Sequence, residues 1–323
     1  MISVIIPNYN GEHILKKCLS PNMAIFKKHN ISDIIIVDDN SSDDSVDYIS
    51  THYPDIRIIE NEEQLFFSRN CNRGAAIAKE PYLLFLNNDM VLDTLDLERI
   101  LAYLNEDDVF AVSPKILRKN KEGELYNEAF TMGFFKAGWF SSENFPEMEN
   151  LAAKVEGMSI LWACGGALFI KKETYDLVGG FDPIYHPFYV EDLDLSYKGW
   201  KRGLRSVYTD TTVCYHQHQS TIGTYYSQAF VDQVHLRNQF VFIWLNVTSK
   251  WYLFTHFLAV LLMCLSFQIR HTRAILKATM LLPQILKRRQ LRGPEHLSDK
   301  EILQHWKPFV RYLIKERRKG RKK

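Results

Sequence analysis

An apolar run that stops abruptly in polar residues, Leu83–Met90 (LLFLNNDM), most constrains the fold of this chain. The aliphatic and aromatic residues between Pro81 and the polar stop predict a strand buried on both faces, as in a parallel sheet. In open α/β sheets, ligands bind just beyond the carboxyl ends of the strands. Asp89 is therefore expected where a ligand or metal would lie, although Asn and Asp also favour ordinary turns.

Two earlier segments repeat this pattern. The β-branched run Ser3–Pro7 is followed by the turn sequence NYNG at residues 8–11, and Ile34–Val37 is followed by Asp38 and Asp39. Strands that alternate with helices predict a right-handed parallel α/β sheet. The polar residues at the strand ends are then expected to meet at one edge of that sheet.

Apolar spacing and capping signals predict the elements between and after these strands. They are a helix at Glu12–His29 interrupted by Pro21, a helix capped by Ser42 or Asp43, a strand at Ile56–Ile59 and a helix at Phe67–Lys79.

Neither GxGxxG nor GxxxxGK[ST] follows the first strand, so a glycine-rich phosphate loop is not predicted. A bound nucleotide would have to be held by side chains. Asp38 and Asp39 supply a suitable group, because a carboxylate accepts hydrogen bonds from a base N–H or from ribose hydroxyls. A solvated turn that caps the next helix is the alternative interpretation.

The second half of the chain carries three more candidate features. Trp162–Ile170 predicts a strand, and the glycine pair inside it indicates either a close approach to the backbone or a bulge. Glu191, Asp192 and Asp194 open a predicted helix, where capping is the simpler explanation. The long polar stretch Leu117–Asn150 predicts an excursion over the site.

Two alternating histidines, His216 and His218, follow the predicted strand Ser206–Tyr215 and lie on one face of it. A buried histidine is usually structural, but at a strand end near acidic residues a metal or phosphate role is competitive.

The net charge of +2 hides an asymmetry, since residues 287–323 hold 14 Lys and Arg against four Asp and Glu. The preceding residues hold 26 against 34. Five scattered cysteines without a CxxC pair favour a reducing compartment. Because the sequence opens directly with a predicted strand, no signal peptide is expected.

An apolar stretch at Trp251–Phe267 and an amphipathic run at Ala274–Leu286 precede the basic end. They favour helices that lie in the membrane interface, with the basic residues on anionic lipid. A transmembrane helix, a buried helix and a dimer interface stay open as alternatives, so an oligomer is possible. Nucleic-acid binding is not expected, because no aromatic residues are interleaved with the basic ones.

Six segments, taken in order, resemble family 2 glycosyltransferases, an inverting family with a nucleotide-sugar-binding GT-A fold. They are SVIIPNYNG, IIIVDDNSSDDS, NRGAA, LLFLNNDM, CGGALFIKKETYDLVGGFD and YVEDLDLSYKGWKRG. The resemblance, to a rhamnosyltransferase-like subgroup of cell-surface glycan synthesis, covers residues 2–238. It implies an α/β GT-A domain at 1–245, with a mostly parallel central sheet flanked by helices. The apolar and basic stretches described above predict a helical, basic, membrane-associating segment at 246–323.

The resemblance also implies roles for particular residues. Asp192, paired with Glu191, would be the catalytic base. Asp89 would hold Mn²⁺ or Mg²⁺, with His216 near the metal or the diphosphate and His218 the less favoured choice. The donor side would comprise Pro7, Tyr9, Asn10, Asp38, Asp39, Asn72 and Asn88, and the acceptor side would comprise Trp162, Gly165 and Gly166.

Two positions depart from the family pattern. Asn87 stands where the Asp-x-Asp motif begins, which predicts a weaker metal site because divalent cations favour anionic oxygens. Phe66 stands where the family places glycine, and a phenylalanine adopts a left-handed backbone only at a cost, so we expect a rearranged loop there.

The resemblance predicts transfer of a sugar from a nucleoside diphosphate donor to a glycan or lipid-linked acceptor, at the cytoplasmic face of the cell membrane, by a peripheral or monotopic protein. Two alternatives are a nucleotidyltransferase of similar fold and a membrane-bound, non-catalytic homologue that binds a glycan or nucleotide.

Overall fold

The computed structural model describes residues 1–120, 122–146, 155–217, 223, 225–266, 269–309, 311, 312 and 315. Within them, the first half of the chain alternates strands and helices as the sequence predicts. These elements are β1 (Ile2–Asn8), α1 (Glu12–Lys28), β2 (Asp33–Asp38), α2 (Ser45–His52), β3 (Arg57–Glu60), α3 (Phe66–Ile77), β4 (Tyr82–Leu86), β5 (Met90–Thr94), α4 (Leu97–Leu104) and β6 (Val109–Lys119).

The second half adds further strands and a helical C-terminal part. These elements are β7 (Leu125–Asn127), β8 (Thr131–Lys136), β9 (Trp139–Asn144), β10 (Ser159–Ile160), β11 (Ala167–Lys171), α5 (Lys172–Leu177), α6 (Glu191–Lys201), β12 (Arg205–His216), α7 (Gln228–Asn246), α8 (Lys250–Leu265), α9 (Ile269–Thr279), α10 (Leu282–Gln290) and α11 (Asp299–Gln304). A short 3₁₀ turn at Pro183–Tyr185 precedes α6.

The main sheet has the order β10-β12-β6-β11-β4-β1-β2-β3. The strands β3, β2, β1 and β4 run parallel, as predicted from the strand–helix alternation. Beyond β4 the sheet is mixed, because β11 enters antiparallel between β4 and β6. The α/β class is confirmed, and the parallel half brings the carboxyl ends of β1, β2 and β4 to one edge.

Several boundaries differ from those predicted. The helix α1 continues through Pro21. The helix α2 begins at Ser45 instead of after Ser42 or Asp43, since the carboxylate of Asp43 accepts hydrogen bonds from the backbone of Glu12 and Ser45. The strand that contains the glycine pair begins only at Ala167.

The long polar stretch 117–150 is more ordered than its composition indicates. Its beginning extends β6, and the rest of its described part contains β7 and the β8–β9 hairpin. It contributes Arg118 and Glu128 to the site described below.

The C-terminal helices dock against the sheet domain through buried polar contacts. Asp299 is 1% exposed and accepts hydrogen bonds from the hydroxyl of Tyr197 and from the backbone amides of Thr248 and Ser249. Its carboxylate also lies 2.7 Å from the Nζ of Lys201, at the last turn of α6. In the described part of the chain, no helix combines the length and apolar character that a membrane span requires.

Candidate active site

A cavity of about 320 Å³ opens at the sheet edge where β1, β2, β4 and β12 end. The described residues that line it are Pro7, Asn8, Tyr9, Asp39, Gln64, Phe66, Phe67, Asn70, Asn87, Asn88, Asp89, Arg118, Pro187, Phe188, Tyr189, His216 and Tyr226. Among the sequence-predicted residues, this cavity brings together Pro7, Tyr9, Asp39, Asn88, Asp89 and His216.

Asp39 ties the loop before α3 to the end of β2. Its Oδ1 accepts hydrogen bonds from the Asn61 side chain at 2.8 Å and from the Leu65 amide at 2.6 Å, and its Oδ2 accepts from the Phe66 amide at 2.9 Å. Phe66 has a φ of 63°, in the left-handed region. The expected rearrangement is therefore not observed, because the two amide hydrogen bonds hold a left-handed backbone although the residue is Phe.

Two of the predicted donor-side residues build the turn beneath the cavity and do not line it. The Asp38 carboxylate accepts from the amide and hydroxyl of Ser41 and from the side chain of Asn8. The Asn10 side chain accepts from the amide of Ser42 at 2.7 Å. Both groups are occupied within the protein, which leaves Asp39 as the carboxylate of this pair that faces the cavity.

Asn72 is also directed elsewhere. Its side chain accepts from the Tyr175 hydroxyl and the Phe181 amide and donates to the Phe181 carbonyl at 2.8 Å, so it braces the loop after α5. By contrast, Asn88 lines the cavity and donates to the side-chain oxygen of Asn8 at 2.8 Å.

Asp89, His216 and Glu128 form a linear arrangement of side chains. The Nε2 of His216 lies 3.2 Å from Oδ2 of Asp89, and its Nδ1 lies 2.6 Å from Oε1 of Glu128. Burial disfavours the charged imidazolium, but the hydrogen bonds and the charges of the two carboxylates raise the pKa of His216 to about 9. The histidine is thus held between two carboxylates, one of which faces the cavity.

This arrangement fits a divalent cation in part. Asp89 offers an anionic oxygen, and a histidine backed by a carboxylate such as Glu128 is a common metal-site design. Asn87 adds a buried amide oxygen, Oδ1, that has no hydrogen-bond partner among the described residues. Within that part of the chain, no three His, Cys, Asp or Glu side chains converge on one point, so further ligands would have to come from the donor.

The glycine pair separates the cavity from the acidic start of α6. A Cβ on Gly166 would lie 2.6 Å from Met90 and 3.2 Å from the side chain of Asn87. A Cβ on Gly165 would lie 3.3 Å from the Cβ of Asp192. The close approach that the sequence indicated is thus present, with side chains packed against both glycines. Neither glycine lines the cavity, and Trp162 does not line it either, since its backbone pairs with Thr131.

Asp192 and Glu191 do not line the cavity, and Asp192 packs against Gly165 of this glycine pair. Oδ2 of Asp192 accepts from the Gly165 amide at 3.2 Å and Oδ1 accepts from the Leu193 amide at 2.8 Å. Burial raises the pKa of Asp192, although the amide hydrogen bonds oppose it. Burial and the neighbouring Asp192 raise the pKa of Glu191 well above its usual range. One oxygen of Glu191 has no hydrogen-bond partner in the described structure.

The backbone before α6 is held in an unusual conformation by one side chain. Tyr189 and Val190 have φ values of 72° and 80°. The Nδ2 of Asn238, which is fully buried in α7, lies 2.8–2.9 Å from the carbonyl oxygens of Tyr185, Phe188 and Tyr189. Asn238 therefore fixes the direction in which α6 presents its acidic residues.

Sequence reasoning missed several residues of this site. Tyr226 and Asn238 come from segments without a motif, and Arg118 and Glu128 lie in the stretch 117–150, which was predicted only as an excursion. The one sequence signal that could have pointed to an acidic partner of His216 was the position of this histidine at the end of a predicted strand. His218, the less favoured histidine, lies outside the described residues.

The model of glycosyl transferase family 2 matches residues 3–163, which include β1, the Asp39 turn and the Asp89 turn. The chain belongs to glycosyl transferase family 2. It is a glycosyltransferase, as its curated relatives also indicate.

Two curated relatives of this glycosyltransferase are named rhamnosyltransferases. The O-antigen chain rhamnosyltransferase WbaN of Salmonella anatum is 25% identical over 59% of this chain and 58% of its own length. The rhamnosyltransferase WbbL of Escherichia coli K12 is 25% identical over 75% of this chain and 92% of its own length. The chain therefore spans somewhat more than half of the first relative and nearly all of the second.

A solved structure supports the fold. The crystal structure of GalNAc-T7 with UDP, GalNAc and Mn²⁺ superposes with a TM-score of 0.59 at 18% identity, and the superposition covers 78% of this chain and 48% of the other. This family 2 glycosyltransferase has the GT-A fold, with a mixed sheet flanked by helices.

Proposed function

We propose that this glycosyltransferase moves a sugar from a nucleoside diphosphate donor, with inversion, to a hydroxyl of a glycan or lipid-linked acceptor in cell-surface polysaccharide synthesis. Asp192 would act as the base, and Asp89 would hold a divalent cation. The observation that carries the proposal is the arrangement of Asp39, Asp89 and His216 around one cavity, with Asp192 directly behind the glycine pair.

The donor would lie along the edge of the parallel strands. Pro7, Tyr9 and Asp39 form the end of the cavity suited to a nucleoside, because an aromatic ring can pack on a base and a carboxylate accepts from hydroxyls. Asp89, His216 and Arg118 form the end suited to a diphosphate. A divalent ion, when bound, would neutralise the charge that develops on the leaving diphosphate. The GalNAc-T7 neighbour contains both UDP and Mn²⁺, which supports this assignment.

Asp192 would remove the proton of the attacking hydroxyl. A poor nucleophile such as a sugar hydroxyl needs a base, and a positioned carboxylate contributes about 10²–10⁴-fold to the rate. The raised pKa of Asp192 makes it a stronger base than a solvated carboxylate. The Gly165 amide keeps Oδ2 of Asp192 in place, and one base acting opposite the leaving group inverts the anomeric centre.

A panel of nucleoside diphosphate sugars, each incubated with the protein and Mn²⁺ or with a chelator, tests this proposal. Release of a nucleoside diphosphate that depends on both the metal and Asp192 is the expected result. A second incubation with nucleoside triphosphates and sugar 1-phosphates tests the nucleotidyltransferase alternative, which release of pyrophosphate in that mixture would indicate. Binding of the donor without any release, even with crude lipid-linked acceptors added, would indicate the non-catalytic alternative.

We further propose that the helices after residue 245 rest on the anionic surface of a membrane. The α8 helix exposes a wide apolar face, made of Trp251, Phe254, Phe257, Leu258, Leu261, Leu262 and Leu265. Leu276 on α9 and Met280 just after it are also exposed, close in sequence to the exposed Arg273 and Lys277. Apolar side chains flanked by cations suit the headgroup region of an anionic bilayer.

Co-sedimentation with vesicles tests the membrane proposal. We expect stronger binding to phosphatidylglycerol vesicles than to phosphatidylcholine vesicles, and loss of binding in Phe257→Glu and Leu261→Glu. Leu125→Glu is a matched control, since Leu125 is an exposed apolar residue on β7. Equal binding by all variants would overturn the proposal, as would a dimer in solution that the two α8 substitutions dissociate.

A further inference from the structure

A second cavity of about 210 Å³ adjoins the donor cavity and has no role in the mechanism above. The two cavities share Phe66, Pro187 and Tyr226 in their linings. The remaining described residues that line the second cavity are His186, Phe230, Gln233, Val234, Arg237 and Lys277. A molecule in this second cavity would therefore lie beside the donor, on the side of helices α7 and α9.

The charged side chains of this lining are both cationic. Arg237 projects from α7 and Lys277 from α9, and no Asp or Glu is among the described residues of the lining. None of the ion pairs in the described part of the chain involves Lys277. No described carboxylate therefore lies within 4.0 Å of its Nζ. Two cations that face one concave space without a carboxylate favour an anionic ligand.

Arg237 is already held in a fixed position. Its Nε and Nη2 donate to the side-chain oxygen of Asn238 at 2.9 and 2.6 Å, and Nη2 also donates to the carbonyl of His186. No described residue accepts a hydrogen bond from its Nη1. A preorganised guanidinium recognises phosphate oxygens well, because little side-chain entropy is lost when the ligand binds.

We propose that this second cavity binds a phosphate or diphosphate group of the acceptor, so that the acceptor of the reaction is a phosphorylated glycan carrier. The inference deepens the proposed function and rests on it. The donor diphosphate has its own place beside Asp89 and Arg118, which leaves the second cavity for the other substrate. Lys277 lies next to the exposed apolar residues Leu276 and Met280, so a lipid attached to the phosphate could continue along α9.

Binding of decyl diphosphate, measured by calorimetry below its micellar concentration, tests the inference. The measurement is made with excess UDP or GDP, which fills the donor cavity. We expect Lys277→Gln to weaken this binding about tenfold, which is the loss expected when a hydrogen bond to a charged group is removed. Lys287→Gln is the matched control, because Lys287 is an exposed cation on α10 outside the cavity, and it should bind like the original protein.

Two further probes separate the possible sources of the phosphate. Decyl glucoside carries the same chain without charge and should bind much more weakly than decyl diphosphate. Inorganic pyrophosphate carries the charge without the chain, so equally tight binding would indicate a soluble phosphorylated acceptor in place of a lipid. Arg237→Lys keeps the charge and should lose affinity for decyl diphosphate, because one ammonium cannot keep the contacts to Asn238 and His186 and also offer a donor at the position of Nη1.

Two results would overturn the inference. One is unchanged binding of decyl diphosphate in Lys277→Gln, and the other is weaker binding of UDP or GDP in that variant, which would assign the cavity to the donor diphosphate. These measurements need no turnover. If no donor in the panel were turned over while decyl diphosphate still bound, the proposed function alone would therefore be contradicted.

Discussion

Oδ2 of Asp39 accepts a hydrogen bond of 2.9 Å from the amide of Phe66, a residue whose backbone lies in the left-handed region at φ 63°. A non-glycine residue held in a sparsely populated region costs about 1–3 kcal/mol and persists only where its surroundings hold it. The Asp39 carboxylate thus has two roles, since it lines the cavity and also holds the loop that forms one of its walls.

Replacing Phe66 tests how much of this strain is stored. Both Phe66→Gly and Phe66→Ala remove the ring that packs on His186, but glycine adopts a left-handed backbone without a steric penalty. We therefore expect the glycine variant to exceed the alanine variant by about 1 kcal/mol in free energy of unfolding. Urea denaturation of the two variants measures the difference. An alanine variant as stable as the glycine variant would show that the strain has no energetic weight.

The variants Asp192→Asn and Glu191→Gln should differ sharply in turnover, although both changes replace a carboxyl by an amide. The asparagine variant is expected to lose about 10²–10⁴-fold in turnover and to retain donor binding, because the proton acceptor is gone. The glutamine variant should keep most of its turnover, since burial and the neighbouring Asp192 raise the pKa of Glu191 and so disfavour its charged form. Steady-state kinetics and donor titration check both. A Glu191→Gln variant as inactive as Asp192→Asn would assign a catalytic role to Glu191 as well.

The turnover number should fall on the acid side at a higher pH than a solvated carboxyl would cause. Asp192 must be ionised to act as the base, and burial raises its pKa, so activity is present above the raised pKa and is lost as the pH falls through it. The profile of kcat at saturating donor reports this group in the bound complex. Circular dichroism at each pH serves as the control for unfolding. If kcat fell in acid only at the pKa of a solvated carboxyl, this assignment would be contradicted.

Asp89→Ala should abolish the dependence of donor binding on Mn²⁺. The change removes the anionic oxygen of the cavity that best suits a hard cation. Titration of nucleoside diphosphate with and without Mn²⁺ measures this effect directly. Asp93→Asn is the matched control, because Asp93 is exposed on β5 and does not line the cavity. A metal titration that is the same in Asp89→Ala and the original protein would remove Asp89 from the ion site.

Asp299→Asn should lower the free energy of unfolding by about 3 kcal/mol, because it leaves the buried ammonium of Lys201 without its nearest partner. Burial opposes ionisation of Asp299, but the charge and hydrogen bond of Lys201 outweigh burial and lower its pKa. The stabilisation is therefore present above the pKa of the unfolded chain and is lost as the pH falls through the lower folded value.

Urea denaturation at two pH values checks this prediction. Glu295→Gln is the control, since Glu295 is a more exposed partner of Lys201 and should contribute about 1 kcal/mol or less. A difference between Asp299→Asn and the original protein that does not shrink in acid would contradict the role of the charge.

The sequence predicted the fold class and the sheet edge because buried strands and their polar ends are local signals. Asp39 and Asp89 reach the cavity as expected. The sequence could not distinguish Asp39 from Asp38, because both follow β2 and only the strand pleat and the Ser41 turn decide which one faces the ligand. Asn72 matched the family pattern and yet binds Phe181, a partner 109 residues away.

For the same reason, local sequence patterns could not predict the partners of His216 or the hydrogen bonds by which Asn238 holds the backbone before α6. Glu128 meets His216 because β12, which ends at His216, and β7, which Glu128 follows, both pair with β6. Asn238 reaches the carbonyls of residues 185–189 across about 50 positions of sequence. Such contacts depend on tertiary packing and leave no periodic trace.

Helix α6 carries the acidic pair at its first turn and Lys201 at its last, where Asp299 anchors the chain's final helices. One helix of 11 residues therefore connects the acidic pair to the C-terminal helices. Removal of the residues after 245 would take Asp299 away from Lys201, so we expect a shortened protein to lose part of the support that holds α6 and its acidic pair in place.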